Sequence, residues 1–473
     1  MKKIKKETRN EILFLAAVFL LLLVWIRILP FGFGPDESMR YNVADYIFRH
    51  GKLPRGDDPE IRNEIWGISY AFNPILSYMV SAVFMKIMAV FRDTPYALLM
   101  AARLVNALLG TGMAFLVVRI GKRLFKSQGA ARFFTALVVF LPESVFVFSY
   151  VNNDGLALFA TAMVILFWAR VLEEDWTLKN CVGLAVGLGL LSLSYYNAYG
   201  WGLGSVLFFG ITLLRHRDGT VHWKEMVKKG LLIVGIVFVI AGWWFIRNYI
   251  LYDGDFLGQK TSSLCGSLYA KEPYKPENLF NGSRLGQGIL GMFFYQDPGW
   301  EHNWLVTVAV SFVGLFGRMD VYMPYVWTKL YFLVYAVGIA AVLINGRKVL
   351  ALKETWRKKQ KIELPDGTVK GIIVCSGKNW QWKSIFNWCM GICMVIPFIL
   401  LCKYSYSSDM QAQGRYILPM TIPFMYFITL GYEFLLNRFV KSDRTKERIL
   451  NAGAALAVLS LVLITVFVQA PAY

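Results

Sequence analysis

The chain has 473 residues, of which 56% are hydrophobic, 16% aromatic and only 17% charged, with a formal net charge of +19. A soluble domain is nearer half apolar and a quarter charged; several apolar runs here reach the roughly 20 residues that cross a bilayer, which excludes a soluble domain and specifies an all-α polytopic membrane protein. The positive charge falls in short connectors between apolar runs, not in a stripe interleaved with aromatics, so the bilayer's anionic headgroups are the expected partner and nucleic acid is not.

Residues 1–11 carry Lys2, Lys3, Lys5, Lys6 and Arg9, which keeps this end cytoplasmic while residues 12–29 cross outward as an uncleaved anchor helix. The connector 30–72 opens with Gly34-Pro35-Asp36-Glu37-Ser38-Met39-Arg40-Tyr41. Two adjacent carboxylates beside hydrocarbon are costly and therefore mark a functional site. Pro-Asp-Glu is also a good helix opening, so a simple cap at Asp36 stays open as a reading. A helix is predicted over 38–50 and a turn over 53–59. Residues 73–91 and 96–118 are both apolar enough to span, and the second ends in Arg119, Lys122, Arg123, Lys126 and Arg132, a cytoplasmic signature. If both crossed, that basic connector would face outward. The first, broken by Pro74 and interrupted by Lys86, is therefore expected to be a juxtamembrane or re-entrant helix of a first outer loop, 30–95.

Residues 133–150 then return outward and expose Val151-Asn152-Asn153-Asp154-Gly155, which reads equally as an ordinary polar turn. Glu143, within this apolar run, is expected to pair with a base such as Arg103 or to take part in chemistry. A crossing at 156–172 and two shorter ones joined by Tyr195-Tyr196-Asn197-Ala198-Tyr199 follow, then a basic connector 215–229 and a crossing 230–249. Arg247 near its outer end either anchors to the interface or binds a lipid-carrier phosphate with its guanidinium. Residues 251–325 form a long outer segment in which 304–316 is short for a span and is expected in the interface; Phe293 to Trp300 offer aromatic platforms for an acceptor. After a crossing at 326–344, the basic loop 345–383 holds a hairpin predicted across 362–374 with Pro365-Asp366-Gly367 as its turn. Crossings at 385–401, 416–435 and 449–468 complete about eleven, with the N-terminus cytoplasmic and the C-terminus outside. The organisation is a transmembrane module 1–250, the outer loop 251–325 and C-terminal helices 326–473.

The unusual chemistry collects outside: Asp36, Glu37, Asp154, Arg247, Asp253, Asp255, Asp297, Glu301, His302, Asp409 and Arg415, the last in Gln413-Gly414-Arg415-Tyr416. With no C-x-x-C pair and four scattered histidines, no structural zinc site is expected.

The outward Pro-Asp-Glu followed by Arg40-Tyr41, the amphipathic segment opening at Asn73-Pro74 and the acidic second turn together resemble the GT-C glycosyltransferases, integral membrane enzymes that use polyprenyl-phosphate sugars. Arg247-Asn248-Tyr249, Tyr252 to Gly258, Ser311 to Gly317 and Gln413 to Pro419 resemble a poorly characterised bacterial membrane-protein family grouped with them. The resemblance implies a bundle of about 11 transmembrane helices with juxtamembrane helices in the first outer loop. It also implies inverting transfer of a hexose or pentose from a polyprenyl-phosphate donor to a glycan, lipid or protein acceptor outside the plasma membrane, in cell-envelope modification. On it, Asp36 matches the catalytic base, Glu37 its neighbour and Asp154 the second-loop acid that arranges the site. Arg40, Tyr41, Arg247, Arg415 and Tyr416 are assigned to the substrate, the arginines by charge and side alone. Asn152-Asn153-Asp154 departs from a paired acidic motif, so the need for a divalent metal is left open, and no cofactor is assigned. The Lys-Pro-Pro that lies near the lipid phosphate in some relatives is Asn73-Pro74 here, leaving that contact to Arg40 or Arg247. The rival reading is a flippase for lipid-linked saccharides. It is opposed by carboxylates at the outer interface, not the midplane, and by the lack of an internal repeat.

Overall fold

The computed structural model describes residues 6–216, 220–353, 356–363, 365, 367–376 and 380–473. It is a helical bundle in which nine helices among the described residues are long and apolar enough to cross a membrane. The first, α1 (Lys6–Ile28), lies against α4 (Pro95–Leu124). The two run antiparallel: Lys122 reaches Glu7 and Glu11 at one end, while Arg103 reaches the carbonyls of Ile26, Leu29 and Pro30 at the other. Between them the chain forms α2 (Glu37–His50) and the short α3 (Leu76–Phe91), which packs on α2 and α4. At 16 residues α3 is one of the shorter apolar helices and is not among the nine, and its packing on α2 agrees with the place in the first loop that charge parity suggested.

The expected crossing at 133–150 is not one helix. It is α5 (Gln128–Val139) and α6 (Pro142–Val147), broken where Pro142 cannot continue the preceding hydrogen-bond ladder. Helices Asp154–Glu174, Leu178–Ser192 and Gly200–Leu214 follow, then Trp223–Leu251 with an internal π-turn at Phe238–Gly242. Tyr325–Ile344, Trp382–Ser407, Thr421–Phe439 and Asp443–Ile464 complete the bundle. The broken pair and the 15-residue Leu178–Ser192 stand at the two further positions where crossings were expected. The predicted hairpin is present as antiparallel strands Trp356–Glu363 and Val369–Ser376; Asp366 of its turn lies outside the described residues, as do Lys2, Lys3 and Lys5.

The end of the bundle carrying Asp36 is capped by three segments that hold one another. Gly56 N–H donates to the Tyr252 hydroxyl at 2.8 Å, Lys271 N–H to the Ile65 carbonyl at 2.9 Å, and Met410 N–H to the Phe280 carbonyl at 2.8 Å. The segment expected at the interface is the helix Trp304–Gly314, packed against the protein through the buried Trp304, Val308, Phe312 and Val313. It serves as the bed for the Gln-Gly-Arg-Tyr segment. A Cβ on Gly414 would stand 2.0 Å from the Phe312 backbone nitrogen, and Gly414 N–H donates to Ser311 Oγ at 2.6 Å. Only glycine allows this approach, which is what aims Arg415.

Candidate active site at the capped end of the bundle

The adjacent acids Asp36 and Glu37 are turned to different tasks by one backbone angle. Asp36 stands before the first residue of α2 with φ 59° and ψ 13°, a left-handed conformation that aspartate tolerates better than most residues. Its carboxylate makes no capping bond to the helix. It accepts instead from Arg415 Nη2 at 2.8 Å and lies 3.9 Å from Arg40 Nη2, with its side chain 34% exposed. The chain reaches this geometry because Gly34 passes so close to Tyr150 that a Cβ would stand 2.4 Å from its ring. Partial burial pushes the Asp36 carboxyl up. The charges of Arg415 and Arg40, with hydrogen bonds from Arg415 and Tyr70, outweigh this and hold it below the usual carboxylate value.

Glu37 is fully buried and saturated. Arg103 Nε and Nη2 both donate to it at 2.7 Å, and the N–H groups of Gly32 and Val151 donate at 3.0 and 3.1 Å. Arg103 spends its remaining donors on the carbonyls of Ile26, Leu29 and Pro30. This fork-to-fork pair ties the first loop to α1, to α4 and to the turn before Asp154. The expected pairing of Arg103 with Glu143 is therefore not made: Arg103 is taken by Glu37, and Glu143 accepts the Leu315 N–H at 3.1 Å.

Asp154 opens the helix Asp154–Glu174, where backbone N–H groups favour an anion. The turn before it is locked by Asn152, which donates to the carbonyls of Val147 and Tyr150 at 2.6 and 2.9 Å and accepts from Gly155 N–H at 2.9 Å. Asn106 of α4 donates to the Asn152 carbonyl at 3.2 Å. Asp154 accepts from Arg40 Nη1 at 2.6 Å. Arg40 is buried, with its guanidinium carbon 4.7 Å from the Tyr70 ring centroid and 6.0 Å from that of Tyr195. Arg415 Nε donates to Gln413 Oε1 at 2.6 Å, and its guanidinium lies 5.0 Å from the Tyr416 ring. Tyr416 in turn stacks on Tyr195 with centroids 6.3 Å apart.

Asp36, Asp154, Arg40, Arg415 and Tyr416 thus form one cluster drawn from three parts of the chain. Within it Arg40 Nε, Arg40 Nη2 and Arg415 Nη1 are buried with no hydrogen-bond partner, as are the hydroxyls of Tyr78 and Tyr150. Buried guanidinium donors in this state suit an anion with several oxygens. Two assigned residues stand apart by their contacts. Arg247 donates to the Pro54 carbonyl at 2.6 Å and lies over Trp244, bracing the first loop. Tyr41 packs edge-on against Phe31 with centroids 5.3 Å apart, and burial, aided by Asp45, pushes its phenol up to about 12. Tyr70 and Tyr195 belong to the cluster without having been assigned to it, as does Gln413, which the sequence marked only as the first residue of the Gln-Gly-Arg-Tyr motif.

The carboxylates present do not make a metal cage. Among the described residues no three His, Cys, Asp or Glu converge, and Arg40 already lies between Asp36 and Asp154.

The fold is similar to that of solved GT-C membrane glycosyltransferases. The oligosaccharyltransferase of Archaeoglobus fulgidus in its apo form matches with a TM-score of 0.55 at 12% identity, over 99% of this chain and 56% of that one. ArnT from Cupriavidus metallidurans bound to undecaprenyl phosphate matches with a TM-score of 0.52 at 14% identity, over 96% of this chain and 70% of that one. The archaeal enzyme in complex with zinc and sulfate matches with a TM-score of 0.52 at 14% identity, over 96% of this chain and 52% of that one. The chain thus spans little more than half the length of the archaeal enzyme. No protein of curated function matches the sequence. Over residues 61–424 the chain matches the family of predicted membrane proteins designated DUF2142, and it belongs to that family.

Proposed function

We propose that the protein transfers a sugar from a polyprenyl-phosphate donor to an acceptor on the extracytoplasmic side of the plasma membrane, with inversion at the anomeric carbon. The capped end of the bundle faces outward in this reading, because the basic connectors 119–132, 215–229 and 437–448 then lie inside. One observation carries the reading: an ionised, partly exposed Asp36 lies 2.8 Å from Arg415, whose Nη1 has no partner, on a GT-C fold. Asp36 takes the proton of the acceptor hydroxyl, and Arg415 with Arg40 receives the departing phosphate. The two roles are coupled. As negative charge builds on the phosphate it competes for Arg415, loosens that residue's hold on Asp36 and makes the carboxylate more basic when it must accept a proton.

Asp154 holds Arg40 in place, and Glu37 positions the loop through Arg103 without touching substrate. Arg247 braces the first loop, so the phosphate contact falls to Arg415 and Arg40. Tyr416 and Tyr195 offer a stacked aromatic wall to the sugar. The test is transfer of label from pooled polyprenyl-phosphate sugars in proteoliposomes by wild type and Asp36→Asn. Asparagine tolerates the left-handed conformation, so the variant is expected to fold while transfer falls about 10²- to 10⁴-fold. Equal transfer by both proteins would remove Asp36 from the reaction. Lipid movement across the bilayer without transfer would favour a flippase.

A further inference from the structure

Two carboxylates converging at an enzyme site in a membrane need positive charge between them, and here that place belongs to a side chain. Arg40 Nη1 donates to Asp154 at 2.6 Å, and Nη2 lies 3.9 Å from Asp36. Arg40 follows Asp36 by one helical turn, is 0% exposed, and has its guanidinium between the rings of Tyr70 and Tyr195. A divalent cation would need several oxygen ligands at about 2.0–2.6 Å. Among the described residues no third acid, histidine or cysteine joins the two aspartates, and the Asn152 amide is committed to its own turn, so that the unpartnered oxygens left near Asp154 are the neutral amide oxygens of Asn153 and Asn106. A second cation beside a buried guanidinium would also be repelled strongly at low dielectric.

We propose that Arg40 is a built-in cation that stands where a divalent metal would otherwise bridge Asp36 and Asp154, so that this chain works without a metal ion. The proposal deepens the glycosyltransferase reading and rests on it for the activity arm of its test. Arg40 holds Asp154 with one nitrogen and keeps Nε and Nη2 for the phosphate, beside Arg415 Nη1. In the transfer, the acceptor oxygen bonds to the anomeric carbon and its proton passes to Asp36. The bond from that carbon to the phosphate oxygen breaks, and its electron pair stays on the phosphate, facing the two guanidiniums. A guanidinium keeps its charge at any working pH and is not removed by a chelator.

The experiment measures Mn2+ binding by electron paramagnetic resonance on chelator-stripped, full-length protein in nanodiscs, with sugar transfer followed in parallel in EDTA and in added Mn2+. Wild type is expected to hold no Mn2+ that depends on Asp36, and its transfer in EDTA should stay within about twofold of that in Mn2+. Arg40→Ala should lose transfer at least about 100-fold. With the guanidinium gone, Asp36 and Asp154 should hold one Mn2+ whose remaining ligands are water, and adding Asp36→Asn to the same chain should remove that ion. One equivalent of Mn2+ in wild type that Asp36→Asn abolishes would overturn the inference, as would transfer abolished by EDTA. If no sugar is transferred under any condition, the glycosyltransferase reading fails while the Mn2+ measurement still decides the role of Arg40. If Arg40→Ala does not fold because Asp154 is left buried without a partner, the comparison of wild type with Asp36→Asn decides it alone.

Discussion

Two ion-pair clusters stand one residue apart in the chain and behave oppositely. Around Glu37 every acceptor is used, by four N–H donors from three segments, and nothing is left for a ligand. Around Asp36 the carboxylate is one-third exposed, and the two arginines that face it keep unpaired donors. A saturated cluster holds a fold together; an unsaturated one is kept for something that arrives later. The contrast sets a buried pair with every hydrogen bond met beside a cluster with unmet donors, and it is the second that is proposed to meet the substrate.

The comparison breaks most sharply at Glu37. Replacing it by alanine leaves Arg103 charged and buried, and should cost about 3–5 kcal/mol of stability. Thermal unfolding in detergent should drop steeply, whereas Asp36→Asn should leave the midpoint within a few degrees; an unchanged midpoint for Glu37→Ala would show that the clamp does not hold the loop. A smaller effect is expected at Gly414, where an added methyl meets the Phe312 backbone, which cannot yield as a flexible side chain would. Gly414→Ala should cost about 1–3 kcal/mol and, by shifting Arg415, reduce transfer more than it reduces stability. Loss of stability with normal transfer per folded molecule would detach Arg415 from the site.

The smallest effect is on pH. The Asp36 carboxyl is held below its ordinary value of 3.8, so its contribution to stability is fully present above that value and is lost as pH falls through the lower value it has in the folded protein. Wild type should therefore show an acid-side loss of stability below about pH 4 that Asp36→Asn lacks. Identical acid profiles would mean that the Arg415 pair is not formed in the membrane.

Much of this was legible in the residues. Runs of apolar side chains, and basic connectors alternating between them, pointed to the nine helices long enough to cross, though not to the break at Pro142, because both signals are local and the solvent reads them directly. Charge parity even demoted the helix at Leu76–Phe91 from a span. The pairing of charges was a different matter. Asp36 meets Arg415 across 379 positions of sequence and Arg40 meets Asp154 across 114, and the two arginines Arg415 and Arg247 look alike locally, since each lies within two residues of an aromatic and near an end of an apolar helix. Nor does sequence tell Asp36 from Glu37 as partners for Arg103. That choice is made by a backbone angle at Asp36 and by two glycines, Gly34 and Gly414, whose missing side chains let the first loop and the Arg415 segment close on their neighbours. Composition and charge alternation pointed to the helices long and apolar enough to cross a membrane; only the packed tertiary structure, where each buried charge must find a partner, decided which acid became mortar and which kept an exposed carboxylate beside arginines with unmet donors.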